Sequence, residues 1–258
     1  MQYLNQNRFF EINSNIVEWD IKSAGISIIQ EYKLLPRDKI DKLLSLPKDR
    51  RNISIGKIGQ SDKDFARILE DKFNEVIDIF IKNNNLDKEY DVLSIKRDAI
   101  FTINRQIPNP NIGEFIKFVP KNTYHAYLFL KPYEFYFKSN GDIDVKGLCG
   151  DIERRNELLK LHKNGIINFL NEVIKLCERT NMNKRRINKF CSNFVNLYKR
   201  KELDFDYYRE FNSESMYKYV SMGQTMMVDE IDISLLEKID ITYNYINIIL
   251  PFINILCL

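Results

Sequence analysis

Two apolar runs, Val92 to Ile95 and Ala99 to Ile103, are separated only by Lys96-Arg97-Asp98. Short β-branched and aromatic runs joined by so brief a polar break read as an antiparallel hairpin, here with a charged tip. Upstream, Ile16-Val17-Glu18-Trp19 reads as a strand running into Asp20. Downstream, strands are expected at Phe115 to Val119, Tyr124 to Leu130 and Tyr133 to Phe137, then a Ser139-Asn140-Gly141-Asp142 turn leading to Ile143 to Gly147.

Helical periodicity interrupts this sheet between residues 37 and 85. Ile40, Leu43 and Leu44 recur at helical spacing, and Pro47 closes that segment. After a basic loop, Lys48 to Asn52, the alternation Ile53-Ser54-Ile55 suggests a short strand. Ser61 and Asp64 form a capping-box pattern ahead of Phe65, Ile68, Leu69, Phe73, Val76, Ile77 and Phe80, which repeat at helical spacing. Beyond Asp151 the pattern is helical, with Leu158, Leu159, Ile166, Ile167, Leu170, Ile174 and Cys177 on one apolar face and Ile187, Phe190, Cys191, Phe194, Val195 and Tyr198 on the next. The reading is an α+β chain: a mixed half over 1–150 carrying a helical insertion at about 37–85, then a helical half over 151–258.

Composition excludes several classes. Hydrophobic residues at 44% with charged residues at 29% describe a globular chain, and a net charge of +3 leaves nucleic-acid binding to be argued from local clusters. Four cysteines without a CxxC pair, and two histidines, do not make a zinc site of ordinary spacing. Buried free thiols in a reducing compartment account for them. Met1 to Arg8 has no apolar signal-peptide region, and Asn244, Asn247, Pro251 and Asn254 break the apolar tail, so no membrane partner is expected. The tail is a packing element or a docking surface for a protein partner. Abundant Asn, Lys and Ile fit an AT-rich bacterial or viral genome and a cytoplasmic setting in a bacterial or infected cell.

The placement of two acidic residues points to chemistry. Phosphoryl transfer to a nucleotide uses two divalent ions about 3.5–4 Å apart that clamp the attacking and leaving oxygens. Such ions take hard oxygen ligands and keep waters, so two carboxylates on rigid strands suffice. Asp20, at a strand end, and Asp98, at a hairpin tip, have those expected settings. Each has a plainer alternative: Asp20 as the N-cap of a helix over Ile21 to Tyr32, and Asp98 as a turn residue. Ser23 and Ser27 have no neighbouring histidine base, so a hydrolase triad has no support.

The segment Asp20-Ile21-Lys22-Ser23-Ala24-Gly25-Ile26-Ser27-Ile28-Ile29 resembles the first palm motif of family-B DNA polymerases, D-x-x-S-L-Y-P-S-I-I. Ile95 to Phe101 is similar to that family's Y-x-D-T-D-S-I-F, with Asp98 on its second Asp. Asp144-Val145-Lys146-Gly147-Leu148 followed by Glu153-Arg154-Arg155 looks like the later D-x-K-G-x-E and R-R segment. The resemblance covers roughly Asn15 to Arg155, in the family's order. It implies a polymerase-palm-like antiparallel sheet with a fingers-like insertion and a helical thumb-like C-terminal half. It also implies Mg2+ (or Mn2+) held by Asp20 and Asp98, with primer–template nucleic acid and nucleoside triphosphates as partners.

Triphosphate contacts are expected from cations of the insertion, Lys48, Arg50, Arg51, Lys57, Lys63 and Arg67. Of these, Lys57, Lys63 and Arg67 are favoured for their place beside or on the long helix. The resemblance sets Ser23 and Gly25 at the nucleotide, and Lys146, Lys184, Arg185, Arg186 and Lys189 are expected along nucleic acid. Backbone-tracking cations of that kind bind without reading sequence. The alternative for the cluster at 184–189 is an ordinary solvated helix face. The chain also departs from the family. Lys96 stands at the first Asp of D-T-D, and the fingers motif K-x-x-x-N-S-x-Y-G has only an echo around Asn52 and Ile55 to Gly59. Gly25 stands where the family's tyrosine blocks a ribose 2′-hydroxyl, so weak sugar discrimination is expected. The competing reading is a degenerate palm, a binding or structural subunit that has lost turnover. A further one is an unrelated α+β protein.

Overall fold

The computed structural model of the protein describes residues 2–130, 133–147, 163–200, 202–203, 209–211, 217–221, 224–228 and 253–254. In chain order these form β1 (Gln2–Leu4), β2 (Phe10–Glu11), β3 (Ile16–Ile21), α1 (Ala24–Glu31), α2 (Arg37–Leu44), α3 (Lys48–Ser61), α4 (Lys63–Asn83), β4 (Val92–Lys96) and β5 (Ala99–Ile103). There follow β6 (Phe118–Tyr124), β7 (Ala126–Leu130), β8 (Tyr133–Phe137), β9 (Ile143–Gly147), α5 (Lys163–Arg179), α6 (Lys184–Arg200), β10 (Arg209–Phe211), β11 (Tyr217–Ser221) and β12 (Gln224–Val228). The architecture is α+β with antiparallel sheets, as expected from the sequence. The chain divides into two compact units, Met1–Ala126 and Tyr127–Leu258.

The first unit is built on a five-stranded sheet in the order β1-β4-β5-β3-β6. The expected hairpin is its centre: Lys96 pairs with Ala99 across the two-residue tip Arg97-Asp98, and β3 lies antiparallel to β5 on the other side. Strand alternation gives the sheet two faces with different jobs. Trp19, Ile21, Ile95, Ile100 and Phe118 belong to a core cluster with Ile28 and Ile29 of α1 and Phe73, Val76, Ile77 and Phe80 of α4. Phe80 is fully buried and its ring sits 4.1 Å from that of Phe118. Glu18 and Asp20, alternating with Trp19, project from the opposite face.

Three details differ from the sequence expectations. The stretch 48–55 is not a loop and strand but the first part of α3, with Pro47 at its N-cap position and Asp49 in its first turn. Ile53 and Ile55 look strand-like because they are two apart, but only Ile55 packs inward, while Ile53 is 59% exposed. The cap of α4 is Asp62, one residue past the expected Ser61; its side chain accepts from the Phe65 N–H at 2.9 Å. Ser61 is instead the last residue of α3, its hydroxyl donating back to the Lys57 and Ile58 carbonyls. Finally, β6 runs on to Tyr124, because it pairs with β3 along that whole length.

The second unit contains β7, β8 and β9 as neighbours in that order, with β8 and β9 antiparallel. The aromatic run is sheet core: Tyr127, Tyr133, Phe135, Tyr136 and Phe137 are buried, β8 on both of its faces. Helices α5 and α6 form on the expected faces, burying Leu170, Ile174, Cys177, Ile187, Cys191, Phe194 and Tyr198. Cys177 and Cys191 are buried, and burial followed by the charge of Glu178 pushes the Cys177 thiol up to about 11. That is an inert structural thiol. The region after α6 is not helical throughout. β10, β11 and β12 form an antiparallel three-stranded sheet, in runs such as Tyr217-Lys218-Tyr219-Val220 whose aromatic and β-branched content favours strand. Glu153-Arg154-Arg155, Cys149 and nearly all of the C-terminal tail lie outside the described residues. Among the described residues, no helix is long and apolar enough to cross a membrane.

Candidate active site

The end of β3 and the tip of the β4–β5 hairpin are tied together by backbone bonds. The Ile21 N–H donates to the Asp98 carbonyl at 3.1 Å, and Asp20 lies directly opposite Ala99, the residue after Asp98. The tip itself is tight: Arg97 takes a left-handed backbone, φ 54°, which is uncommon outside glycine. This geometry delivers both carboxylates to one place from segments nearly eighty residues apart in the chain. Asp20 is therefore a strand-end residue; the N-cap position of α1 belongs to Ser23, which also has a left-handed backbone and makes no side-chain cap bond.

Both aspartates line a cavity of about 550 Å³ within the first unit. Its floor is the start of α1, with Ser23, Ala24 and Gly25; its far wall is α3, with Lys48, Asn52, Ile55, Gly56, Gly59 and Gln60. Phe65, Ala66, Leu69 and Phe73 of α4 close the back, and Arg97 stands at the hairpin side with its guanidinium 5.1 Å over the Phe73 ring. Acidic oxygens and two cations thus share one concave site with an apolar lining, a general property of ligand pockets.

Electrostatics mark the same spot. Burial, and next the charge of Asp20, raise the pKa of Asp98, against smaller downward pulls from its own backbone bond, Arg97 and Lys121. Lys121 Nζ lies 3.4 Å from Asp20 Oδ2 and 3.6 Å from Glu18 Oε1. Burial would lower the Lys121 pKa, but Asp20 and Glu18 outweigh it and the net shift is upward. Asp20 is not sealed in a closed ion pair, since its side chain is 28% exposed and Lys121 is 51% exposed. Glu18 is only 2% exposed, and its Oε2 accepts from Asn122 Nδ2 and Tyr124 Oη, both at 2.7 Å.

Of the residues singled out from sequence, Asp20, Asp98, Ser23 and Gly25 meet at this cavity. Lys57, Lys63 and Arg67 are exposed and are not among its lining residues. At 3.6 residues per turn, Lys57 lies about half a turn around α3 from Lys48, and Arg67 faces away from Phe65 and Leu69 on α4. Arg67 pairs instead with Asp64 at 3.2 Å. Lys48, Asn52, Gln60 and Arg97 take the places at the cavity that those three were expected to fill. Lys48, Asn52, Gly56 and Gln60 recur every fourth residue and so share the face of α3 that lines the cavity, a spacing that matters only because 48–61 is helix. Gly25 has Ile55 against it, whose Cδ1 would sit 3.4 Å from an added Cβ.

Lys146 belongs to the second unit, on β9 opposite Glu134. Lys184, Arg185, Arg186 and Lys189 are exposed on the first turns of α6.

The model of the bacteriophage PBS1 gene 130 protein family matches residues 1–258. The chain belongs to that family. It is accordingly a phage protein, and membership in the family assigns it no chemistry. No curated protein matches the chain.

Among the described residues, no group of three or more His, Cys, Asp or Glu side chains converges to hold a metal. The donors at the cavity are two hard carboxylates, with the Asp98 pKa raised by burial and next by the charge of Asp20. That donor chemistry suits Mg2+ or Mn2+, which complete their shells with water and substrate phosphate.

Proposed function

We propose that this phage protein is a nucleotidyltransferase of the compact DNA-polymerase type, acting in the infected bacterial cell on a primer–template and nucleoside triphosphates. The observation that carries the reading is the meeting of Asp20 and Asp98 at one cavity, with Lys48 and Arg97 on its walls. Asp20 and Asp98 are the residues that would hold the divalent ions. Ions bound there supply charge neutralisation on the phosphates and a lowered pKa for the attacking hydroxyl. Lys48, at the mouth of α3, and Arg97, at the hairpin tip, face the triphosphate, whose charge in the transition state such cations stabilise. Their fixed positions on a helix and a braced turn spare reorganisation during transfer of the nucleotidyl group. The 3′-hydroxyl gives its proton to water, its oxygen bonds to the α-phosphorus as the bond from that phosphorus to the β-phosphate oxygen breaks, and pyrophosphate leaves.

Gly25 and Ile55 form the wall where a sugar edge would rest, with neither a ring nor a hydroxyl to exclude a 2′-OH. Weak discrimination between ribo- and deoxyribonucleotides follows.

The second reading, a degenerate palm acting as a binding subunit, draws on Lys96 beside the tip and on the ion pair between Lys121 and Asp20. Mn2+-dependent nucleotide incorporation, with and without a primed template, separates the two. The enzyme reading expects wild type to exceed Asp20→Ala and Asp98→Ala by orders of magnitude. Wild type no better than either variant would leave the binding subunit.

A further inference from the structure

Lys121 owes its position to a break in the sheet. Asn122 lies opposite Glu18 and Pro120 opposite Trp19, so Lys121 is the extra residue of a bulge in β6. Bulges re-aim a side chain that regular pleating would send elsewhere. The bulge sits on an edge strand, where Pro120 is tolerated because its missing N–H is not needed by a neighbour. The ammonium so placed lies between two carboxylates, 3.4 Å from Asp20 and 3.6 Å from Glu18. These two differ. Asp20 opens onto the cavity, whereas Glu18 is buried and fixed through its other oxygen by Asn122 and Tyr124.

We propose that Lys121 is a resident counter-ion of the metal centre: it shares Asp20 while no divalent ion is bound and withdraws to Glu18 when one takes the Asp20 oxygens. This rests on the reading of Asp20 and Asp98 as metal ligands. Glu18 is then a positioning residue, buried one alternation along β3 so that the lysine has a second anion within reach without leaving its bulge. A divalent ion arriving at the two aspartates does not have to expel a cation into solvent; it moves one by the width of a carboxylate pair.

The test is Mn2+ affinity of the full chain at low salt, read as free Mn2+ by electron paramagnetic resonance. Lys121→Met removes the competitor and is expected to tighten Mn2+ about two- to fivefold, the scale set by a half-exposed ion pair. Glu18→Gln leaves the lysine with Asp20 alone and is expected to weaken Mn2+ by a similar factor. The Glu18→Gln/Lys121→Met double variant should bind like Lys121→Met. A plain field effect would instead make the two changes additive, and additivity overturns the proposal. Should Glu18→Gln not melt cooperatively, Lys121→Met decides alone, because its side chain is half exposed, and unchanged affinity there also overturns it. Mn2+ binding absent from wild type, or surviving Asp98→Asn, strikes the metal-centre reading itself. Binding that needs Asp98 and ignores Lys121 strikes only the counter-ion.

Discussion

Burial and the neighbouring charge of Asp20 raise the pKa of Asp98, so the folded chain disfavours its ionised form. The linkage has a definite sign. A carboxyl whose folded pKa is raised gives its full stabilisation below the ordinary value of 3.8 and loses it as pH rises through the raised value. At pH 7, Asp98→Asn should therefore melt higher than wild type, and the gap should close as wild-type Asp98 becomes protonated in acid. Mn2+ should raise the melting temperature of wild type and leave that of Asp98→Asn unmoved. The sugar wall belongs to the same scale. Incorporation of rNTPs should run within about tenfold of dNTPs, a difference of about 1.4 kcal/mol, and strong rejection of rNTPs would remove Gly25 from any role in selection. Asp20 and Asp98 were legible because strand end and hairpin tip are written in local periodicity. Lys121 was not legible, because a bulge is a property of pairing between strands and leaves no pattern in one of them.

Helix α3 carries the clearest lesson at the level of elements. Its sequence alternates around Ser54, but three lining residues, Asn52, Gly56 and Gln60, recur every fourth position. Tertiary contact chose the helix: Ile55 buries against Gly25, and Gly59 lets Ala66 of α4 approach to 3.5 Å of its would-be Cβ. An added Cβ at Gly56 meets nothing within 4 Å. Gly56→Ala should thus stabilise the fold by about 0.5–1 kcal/mol through helix propensity, seen as a higher denaturation midpoint. Gly56→Phe should fill the cavity and suppress incorporation while the fold persists. Lys48→Ala should lower incorporation on the order of 10²-fold, as loss of one charge-stabilising donor does. Lys57→Ala, on the opposite side of the same helix, should change it little. At the entry to α4, Asp62→Ala should cost about 1 kcal/mol, since it removes the bond to the Phe65 N–H.

For the molecule as a whole, the sequence conveyed the α+β class, the hairpin and both helices of the second unit. The three strands after α6 escaped it, because runs of three to five residues carry too little periodicity to register. The exposed cations at the start of α6 make a prediction at this scale. Replacing Lys184, Arg185, Arg186 and Lys189 together by Ala should weaken binding to a primed duplex evenly across sequences. It should also flatten the dependence of log affinity on log salt by up to about 3.6, or about 0.9 for each phosphate no longer neutralised. An unchanged salt slope would make them a solvated face. The central claim concerns neither helix nor tail, but two carboxylates sharing a divalent ion, and anomalous diffraction from Mn2+-soaked crystals tests it most directly. Manganese is expected bound directly by oxygens of both Asp20 and Asp98, with the Lys121 ammonium on Glu18. A map with no manganese at that pair, and Lys121 still shared with Asp20, would contradict it.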